Sequence, residues 1–319
     1  ATDETRLLED ICKIIVERCG YRMAWVGYAE RDARKTVRPM AQAGHDAGYL
    51  ESLNIVWDDS EHGRGPTGTA IRTGQPCAVQ HIPADERFAP WLADALARGY
   101  ASSIALPLIA GGQTLGALNV YATEEDAFDA DELGLLSELA ADLAYGIVAL
   151  RNAQQLRTTL VDTIGVIALT VEKRDPYTAG HQRRVAELAV AIAEEMHLDA
   201  DRILGLKLSG IIHDLGKIHV PAEILSRPGR LSPAEFEMIK THPQVGHDII
   251  QGVKFPWPVA ETILQHHERL DGSGYPQGLK GEQILIEARI LAVADTVEAM
   301  VSHRPYRPGL GIDKALEEI

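Results

Sequence analysis

The first half of the chain begins with a helical pattern and continues with short strand patterns. Leu8, Ile11 and Ile15 recur at helical spacing, which predicts a helix over residues 4–18. Apolar or alternating runs bounded by Gly, Pro and Asp predict strands at 23–29, 36–41, 77–80, 103–109 and 114–121. The pair Gly111-Gly112, between the last two runs, is typical of a hairpin turn.

A long helical pattern begins near Asp129 and continues to about Lys173. Positions spaced alternately by three and four residues form a heptad seam within it, namely Leu136, Leu139, Leu143, Gly146, Leu150, Ala153, Arg157, Leu160, Ile164, Ile167 and Val171. We interpret this helix as a connector that pairs with its twin in a parallel homodimer and transmits a state between two domains. The alternative is two separate helices, each packed on its own domain, because Gly146 and Arg157 weaken the seam.

Beyond Arg174 the pattern is helical throughout, and metal-type side chains lie on helix faces that should be apolar core. In chain order these positions are His181, then Gly210, His213, Asp214 and Lys217 on one face, then His266 and His267 between Ile263 and Leu270, and then Asp295 after Ala288 and Leu291. A lone inward histidine is usually a hydrogen-bonded core residue. Inward polar side chains on four predicted helices favour bound metal ions instead. Each buried polar group left unpaired costs about 1–3 kcal/mol, and a metal ion turns several such groups into its ligands.

Composition narrows the possible partners. The chain has 31 Lys and Arg against 46 Asp and Glu, a net charge of −15, which argues against DNA or an anionic membrane surface as a partner. Residues 1–150 carry 12 basic and 23 acidic residues, whereas the remainder carries 19 and 23. Nine of the twelve histidines lie in that remainder, so the second half is where we expect the chemistry.

The cysteines and the chain ends bear on location. The chain has three cysteines, an odd number without C-x-x-C spacing, namely Cys12, Cys19 and Cys77. This pattern argues against a disulfide framework or a zinc ribbon, so we expect a reducing, cytoplasmic setting. The start has no export signal, and no apolar run approaches the roughly 18 residues that span a membrane. The chain begins at Ala1 and stops inside a predicted helix at Ile319, so we expect it to be part of a longer protein.

The ligand types indicate which metals would suit the cluster. Neutral imidazoles with a carboxylate favour iron, manganese, zinc or nickel over calcium or magnesium, and we expect iron or manganese first. His242 adds a fifth histidine, three residues after Ile239 at a predicted helix end, and five histidines with two aspartates are too many for one ion. Two divalent ions about 3.5–4 Å apart, bridged by Asp214, would hold a hydroxide and clamp a phosphoryl group.

Two motifs carry a resemblance to a known family. His213-Asp214 with Gly216-Lys217, and His266-His267 followed by Asp271-Gly272-Ser273-Gly274-Tyr275-Pro276, resemble the HD-GYP family of cyclic di-GMP phosphodiesterases over about residues 175–315. The resemblance implies an all-α domain, expected here at 175–319, that hydrolyses cyclic di-GMP to pGpG, GMP or both. It implies one metal held by His181, His213, Asp214 and Asp295, and a second held by Asp214, His242, His266 and His267.

The same resemblance assigns further residues. It implies that Asp214 and Lys217 are catalytic, that Lys217 contacts the phosphate, and that substrate lies against Gly274, Tyr275, Arg304 and Arg307. The alternative for the two arginines is ordinary surface ion pairing. Some members hold a third metal through a glutamate at the position of Tyr177, so two ions are expected here. Glu268 either orients a ligand histidine or only continues a helix face.

The first half is similar to bacterial GAF sensor domains. The motifs are Ala24-Trp25-Val26-Gly27-Tyr28, the Gly-rich stretch from Gly63 to Ala70, and Leu106-Pro107-Leu108. The resemblance implies an α+β domain over 1–150, an antiparallel sheet with flanking helices and a ligand pocket, followed by a connector at 151–174. No ligand can be assigned, and a ligand-free dimerising domain is the alternative.

These features together predict a phosphodiesterase regulated by its first domain. The alternatives are a catalytically weak adaptor, which binds cyclic di-GMP and meets a signalling protein at the Gly-Tyr-Pro loop, and a hydrolase of another cyclic dinucleotide.

Overall fold

The computed structural model describes residues 3–46, 48–52, 54–174, 180–227, 229–302 and 309–319. Contacts divide the chain into two compact units, Ala1–Leu156 and Arg157–Ile319. Helix α5 (Ala130–Glu172) is continuous across that division, as the sequence predicted, and the alternative of two separate helices is wrong. The domain boundaries expected at 150 and 174 stay predictions.

The first unit is built on one antiparallel sheet. Its strands are β1 (Met23–Ala29), β2 (Val37–Gly44), β3 (Cys77–Val79), β4 (Ser102–Ala110) and β5 (Gln113–Ala122), in the spatial order β2-β1-β5-β4-β3. Its helices before α5 are α1 (Glu4–Glu17), α2 (Tyr49–Ser52), α3 (Pro66–Thr73) and α4 (Leu92–Ala97). Gly111 and Gly112 connect β4 to β5 with positive φ, a conformation that glycine adopts without steric penalty.

Alternation along the strands gives the sheet two apolar faces. Side chains such as Ala24 and Val26 face a core with α1 and the first part of α5, whereas Met23 and Trp25 face a second core on the opposite side. The second core includes a pocket between the start of α3 and the sheet. Among the described residues its lining is uncharged, with polar groups from Thr67, Ser103 and Asn119, and its ligand stays unassigned.

The second unit is helical. After the last part of α5 it contains α6 (His181–Glu195), α7 (Ala200–Ile212), α8 (Ala222–Leu225), α9 (Pro233–Ile239), α10 (His242–Ile250), α11 (Val259–Gln265), α12 (Ile286–Val301) and α13 (Ile312–Glu318). One apolar core joins α5 to α7, α10 and α11, and another joins α6 to α7 and α12. These two cores bring helix ends that are distant in the sequence to one region.

The heptad seam of α5 is used partly inside each unit. Leu136 and Leu143 pack in the first unit, and Ile164 and Val171 pack in the second. Residues 151–159 between them are all exposed. Pairing of this helix with a twin stays a prediction.

Helix α5 also bears on the membrane question. By length and composition it is apolar enough to cross a membrane, and 28% of the 18-residue window that meets this test is buried. This is weak evidence, because core helices pass the same test. The sequence prediction that no apolar run approaches this length therefore does not hold for α5, whose apolar residues are interrupted by polar ones.

Candidate metal centre

The seven predicted metal-ligating side chains meet at one place in the second unit. Three overlapping groups have ligand atoms within 4.8 Å of one another: His181 with His213 and Asp295, His213 with Asp214 and His266, and His242 with His266 and His267. His181, His213, Asp214, His242 and His266 are buried. The structure thus brings together positions that span more than a hundred residues of sequence.

The ends of the helices differ from the sequence prediction. Helix α7 ends at Ile212, so Asp214 and Lys217 lie on the 3-10 turn Leu215–His219 and its N-cap, not on one α-helical face with Gly210. Gly210 packs against Ala186 of α6, where an added Cβ would lie 2.9 Å from the Ala186 Cα, so it permits helix contact instead of clearing the site.

Helix α11 likewise ends before the paired histidines. Its last residue is Gln265, and His266 is its C-cap. Leu270, expected to lie inward, is 63% exposed because the chain has left the helix by then. The regular helical spacing therefore located the histidines correctly but extended the helix too far.

Three of the histidines make the same local hydrogen bond. The Nδ1 of His213 donates to the carbonyl of Gly210 at 2.8 Å, and that of His242 donates to Ile239 at 2.8 Å. The Nδ1 of His266 donates to Ile263 at 2.6 Å. Each partner lies three residues earlier, where a helix end leaves a carbonyl without its usual partner. Because a carbonyl only accepts, Nδ1 carries the proton and Nε2 keeps its lone pair.

The three lone pairs point into the cluster. The Nε2 atoms of His242 and His266 lie 3.3 Å apart, although neither carries a proton to share in the neutral tautomer. The Nε2 of His213 is buried and has no hydrogen-bond partner among the described residues. Buried, facing lone pairs are unfavourable unless a cation lies between them, so this donor set fits a metal of the kind that imidazoles bind.

His181 is held differently, by two carboxylates. Its Nε2 lies 3.1 Å from Asp295 Oδ1, and its Nδ1 contacts Glu298. Glu298 also accepts from Arg184 at 2.7 Å and from Ser302 at 2.5 Å. The sequence analysis missed Glu298. Its signal was the spacing, since it stands three residues after Asp295 on the same helix.

Burial and charge set the protonation of the cluster. Burial lowers the pKa of His242 to about 3 and also lowers the pKa of His266 and His267, so all three are neutral at pH 7. Burial opposes the charged form of His181 too, but hydrogen bonds to Asp295 and Glu298 raise its pKa to about 9. The pKa of Asp214 is well below its usual value because the charges of Lys217 and of protonated His181 outweigh its burial.

The turn that carries Asp214 and Lys217 lies directly against α10. Lys217 Nζ is 2.7 Å from Asp214 Oδ2. Between them, Gly216 approaches α10 so closely that an added Cβ would lie 1.9 Å from the carbonyl oxygen of His242. This contact sets the distance between Asp214 and His242.

The Gly-Tyr-Pro loop folds back over the paired histidines. The ring of Tyr275 stacks on that of His267, with centroids 4.8 Å apart and planes 29° apart. Glu268 accepts backbone N–H groups of Gln277, Gly278 and Leu279 at 2.6, 3.2 and 2.9 Å. Glu268 therefore ties down the loop. It lies beyond the end of α11, so the interpretation that it only continues a helix face was wrong, and its orientation of a ligand histidine stays a prediction.

Other predicted residues have simpler outcomes. Gly274 lies in this loop, where an added Cβ would be 2.4 Å from the backbone nitrogen of Arg269. Lys240, which the sequence analysis missed, has its ammonium 5.7 Å from the centre of the Tyr275 ring. Arg304, Arg307 and Tyr177 lie outside the described residues, so their predicted roles stay predictions.

Comparison with known families assigns both units. Residues 1–148 match the GAF domain family model, and residues 166–319 match the HD domain family model. The chain thus consists of a GAF domain followed by an HD domain, joined by α5. These matches confirm the resemblance to a GAF domain followed by an HD-type domain. They and the structure also confirm the predicted fold class, an α+β domain joined by a long helix to an all-α domain.

Individual relatives share about 40% of their aligned residues with this chain. It is 39% identical over 183 residues to the cyclic di-GMP phosphodiesterase response regulator RpfG of Xanthomonas campestris, covering 57% of this chain and 48% of that protein. It is 41% identical over 162 residues to a cyclic di-GMP phosphodiesterase of Thermotoga maritima, covering 50% and 44%. It is 38% identical over 151 residues to the 3'3'-cGAMP-specific phosphodiesterase 1 of Vibrio cholerae, covering 47% and 35%. The chain spans less than half the length of each.

The close approach at Gly216 gives a first test. We expect Gly216→Ala to push the turn away from α10 and to destabilise the HD domain by roughly 1–3 kcal/mol, as overpacking against backbone does. The measurement is the thermal unfolding of the HD domain. Gly252→Ala is the control, because nothing lies within 4 Å of its added Cβ. Equal unfolding temperatures for the two variants would contradict the steric argument.

Proposed function

We propose that this chain is a metal-dependent phosphodiesterase that hydrolyses cyclic di-GMP to pGpG, GMP or both. The observation that carries the proposal is the buried cluster of imidazole lone pairs around Asp214, which suits metal ions and has no evident structural use without them. The relatives named cyclic di-GMP phosphodiesterases support this choice of substrate.

The arrangement of Asp214 supports two metal ions. Its Oδ2 lies 3.5 Å from His213 Nε2 and 3.9 Å from His181 Nε2, whereas its Oδ1 lies 3.5 Å from His242 Nε2. Each carboxylate oxygen thus faces a different group of histidines. We assign one ion to His181, His213, Asp214 and Asp295, and the other to Asp214, His242, His266 and His267. When bound, such ions supply Lewis acidity at the phosphoryl group and lower the pKa of water.

The protein's own residues would bind and orient the substrate around these ions. Lys217 stands beside Asp214 and presents an ammonium that can contact a non-bridging phosphate oxygen. The Tyr275 ring, stacked on His267, borders the same space and offers a surface against which a base can stack. Arg304 and Arg307 are assigned to the phosphates from the motif resemblance alone.

A second substrate has support of its own, because one relative is named a 3'3'-cGAMP-specific phosphodiesterase. The experiment is turnover of cyclic di-GMP, 3'3'-cGAMP and cyclic di-AMP by the manganese-loaded and iron-loaded chain, with the products identified. Cyclic di-GMP should have the highest kcat/KM. Faster turnover of another dinucleotide would replace the substrate, and binding without turnover would favour the adaptor.

Asp214 and Lys217 should have separable effects on that reaction. We expect Asp214→Ala to remove both metals and the activity together, because it faces both histidine groups. Lys217→Ala should retain both metals and lose turnover, because it acts on the substrate. Elemental analysis beside kinetics checks this, with the exposed Lys173→Ala as control. Full metal content in Asp214→Ala would rule out the bridging role.

The two histidine groups should differ in their response to pH. His181 is protonated below a pKa of about 9 in the metal-free protein, so an ion bound there must displace a proton. The affinity of that ion should rise, by up to about tenfold per unit, as the pH increases toward 9. The group of His242, His266 and His267 is already neutral and should release none. Titration calorimetry in two buffers of different protonation enthalpy measures this, and equal proton release by the two ions would contradict it.

We further propose that the GAF domain regulates the site through α5 and that α5 pairs with its twin in a parallel homodimer. The exposure of residues 151–159 supports this, because a helical segment that buries little side-chain surface gains little stability from packing within its own chain. A signalling-protein partner at the Gly-Tyr-Pro loop and a cytoplasmic location remain proposals from the sequence.

The phase of α5 tests this regulation. Inserting two alanines after Asn152 rotates the two ends of the helix by about 200° relative to each other, whereas inserting seven preserves the phase within about 20°. We expect kcat/KM to change in the first variant and to stay close to the unmodified value in the second. Identical rates for all three proteins would speak against coupling through the helix.

A further inference from the structure

The last residue of α5 and the turn that follows it contact two elements of the candidate metal centre directly. Glu172 is the final residue of the helix and is buried, with 8% of its surface exposed. Arg174 follows it by two residues. Their contacts lie within the second unit, and neither residue had a role in the sequence analysis or in the proposed reaction.

Glu172 supplies the N-terminal cap that α6 lacks. Helix α6 begins at His181 after Gly180, which has a left-handed conformation and no side chain to accept a hydrogen bond. The N–H of Gly180 donates to Glu172 Oε2 at 3.2 Å, and the N–H of Gln182 donates to Glu172 Oε1 at 3.2 Å. The two bonds bracket His181. A carboxylate is also the favoured charge at a helix N-terminus.

Arg174 contacts the other element. Its Nη1 donates to the carbonyl of Ile218, in the 3-10 turn that also carries Lys217. The end of one helix therefore holds the backbone beside the His181 imidazole and the backbone beside the Lys217 ammonium.

We propose that Glu172 and Arg174 are positioning residues, Glu172 for His181 and Arg174 for Lys217. This inference rests on the proposed function of those two site residues. Any displacement of the end of α5 would then reach a metal ligand and a substrate-binding group through three hydrogen bonds, in addition to the apolar core that α5 shares with α7, α10 and α11.

Cobalt titration of the metal-free full chain tests the role of Glu172 without catalysis. The visible absorption of bound Co²⁺ should report two ions in the unmodified protein. In Glu172→Ala the ion assigned to the His181 group should bind about tenfold more weakly or worse, as when an orienting partner of a ligand is lost. The ion at His242, His266 and His267 should be unaffected. Lys173→Ala, the neighbouring exposed position, is the matched control and should titrate like the unmodified chain.

The outcomes separate positioning from general stability. A cobalt curve of Glu172→Ala that superimposes on that of Lys173→Ala overturns the proposal, even if the thermal stability is lower. Should the alanine variant fail to fold, Glu172→Gln takes its place. It keeps the shape but presents an NH₂ group to one of the two N–H donors, so the same selective loss is expected, and an unchanged curve again overturns the proposal.

Arg174 is tested by ligand binding. Arg174→Ala should keep both cobalt ions and bind pGpG several-fold more weakly in the loaded protein, and Arg174→Lys should recover part of that affinity. Unchanged affinity for pGpG overturns the role of Arg174. If the unmodified chain binds cobalt but hydrolyses no cyclic dinucleotide, the proposed function fails, whereas the cobalt comparison still decides the role of Glu172.

Discussion

The metal centre depends on one local interaction, the hydrogen bond from a histidine Nδ1 to the carbonyl three residues before it. The end of a helix provides such a carbonyl, because the residue that would normally donate to it has left the helix. His213, His242 and His266 each use this bond. It fixes the tautomer and directs Nε2 away from the helix. The packing of the helices in the HD domain brings these three Nε2 atoms into one cluster.

That requirement explains the packing of the second unit. Three directed lone pairs in a buried space repel one another, so the apolar contacts around them must hold the helix ends together. The core of α5, α7, α10 and α11 does this for the three histidines, and the core of α6, α7 and α12 adds His181 and Asp295. Gly216 permits backbone contact where a Cβ would keep Asp214 and His242 apart. The centre is thus rich in buried lone pairs that face one another, so cations, not anions, are its natural first ligands.

Much of this was predictable from the sequence, and the failures have physical causes. The strands and α5 follow from local patterns, and the histidines of the candidate metal centre stood out as polar residues at apolar positions. Helical spacing could not reveal where α7 and α11 end, because no proline or capping glycine marks those ends. Glu298 and Glu172 were missed because their importance lies in contacts to His181 and to the start of α6, which local periodicity does not encode. Leu270 was expected to lie inward because the helical spacing was extended beyond Gln265, where α11 ends.

The heptad seam illustrates a different limit. Its spacing predicts a continuous helix whether the seam faces a twin or the helix's own domains, and in α5 it faces both cores at its ends and solvent over residues 151–159. Near the two ends of this segment, Arg151 pairs with Glu4 and Arg157 pairs with Asp201, each within its own unit. A signal that passes from one unit to the other along α5 would therefore be an axial displacement or a rotation of the helix. Such a motion can change the candidate metal centre only where the end of the helix is bonded to, or packed against, residues of that centre. Glu172 and Arg174 provide such an attachment beside the apolar contacts of Ile164 and Val171, so the polar end of α5 and its seam both connect a movement of the helix to the site.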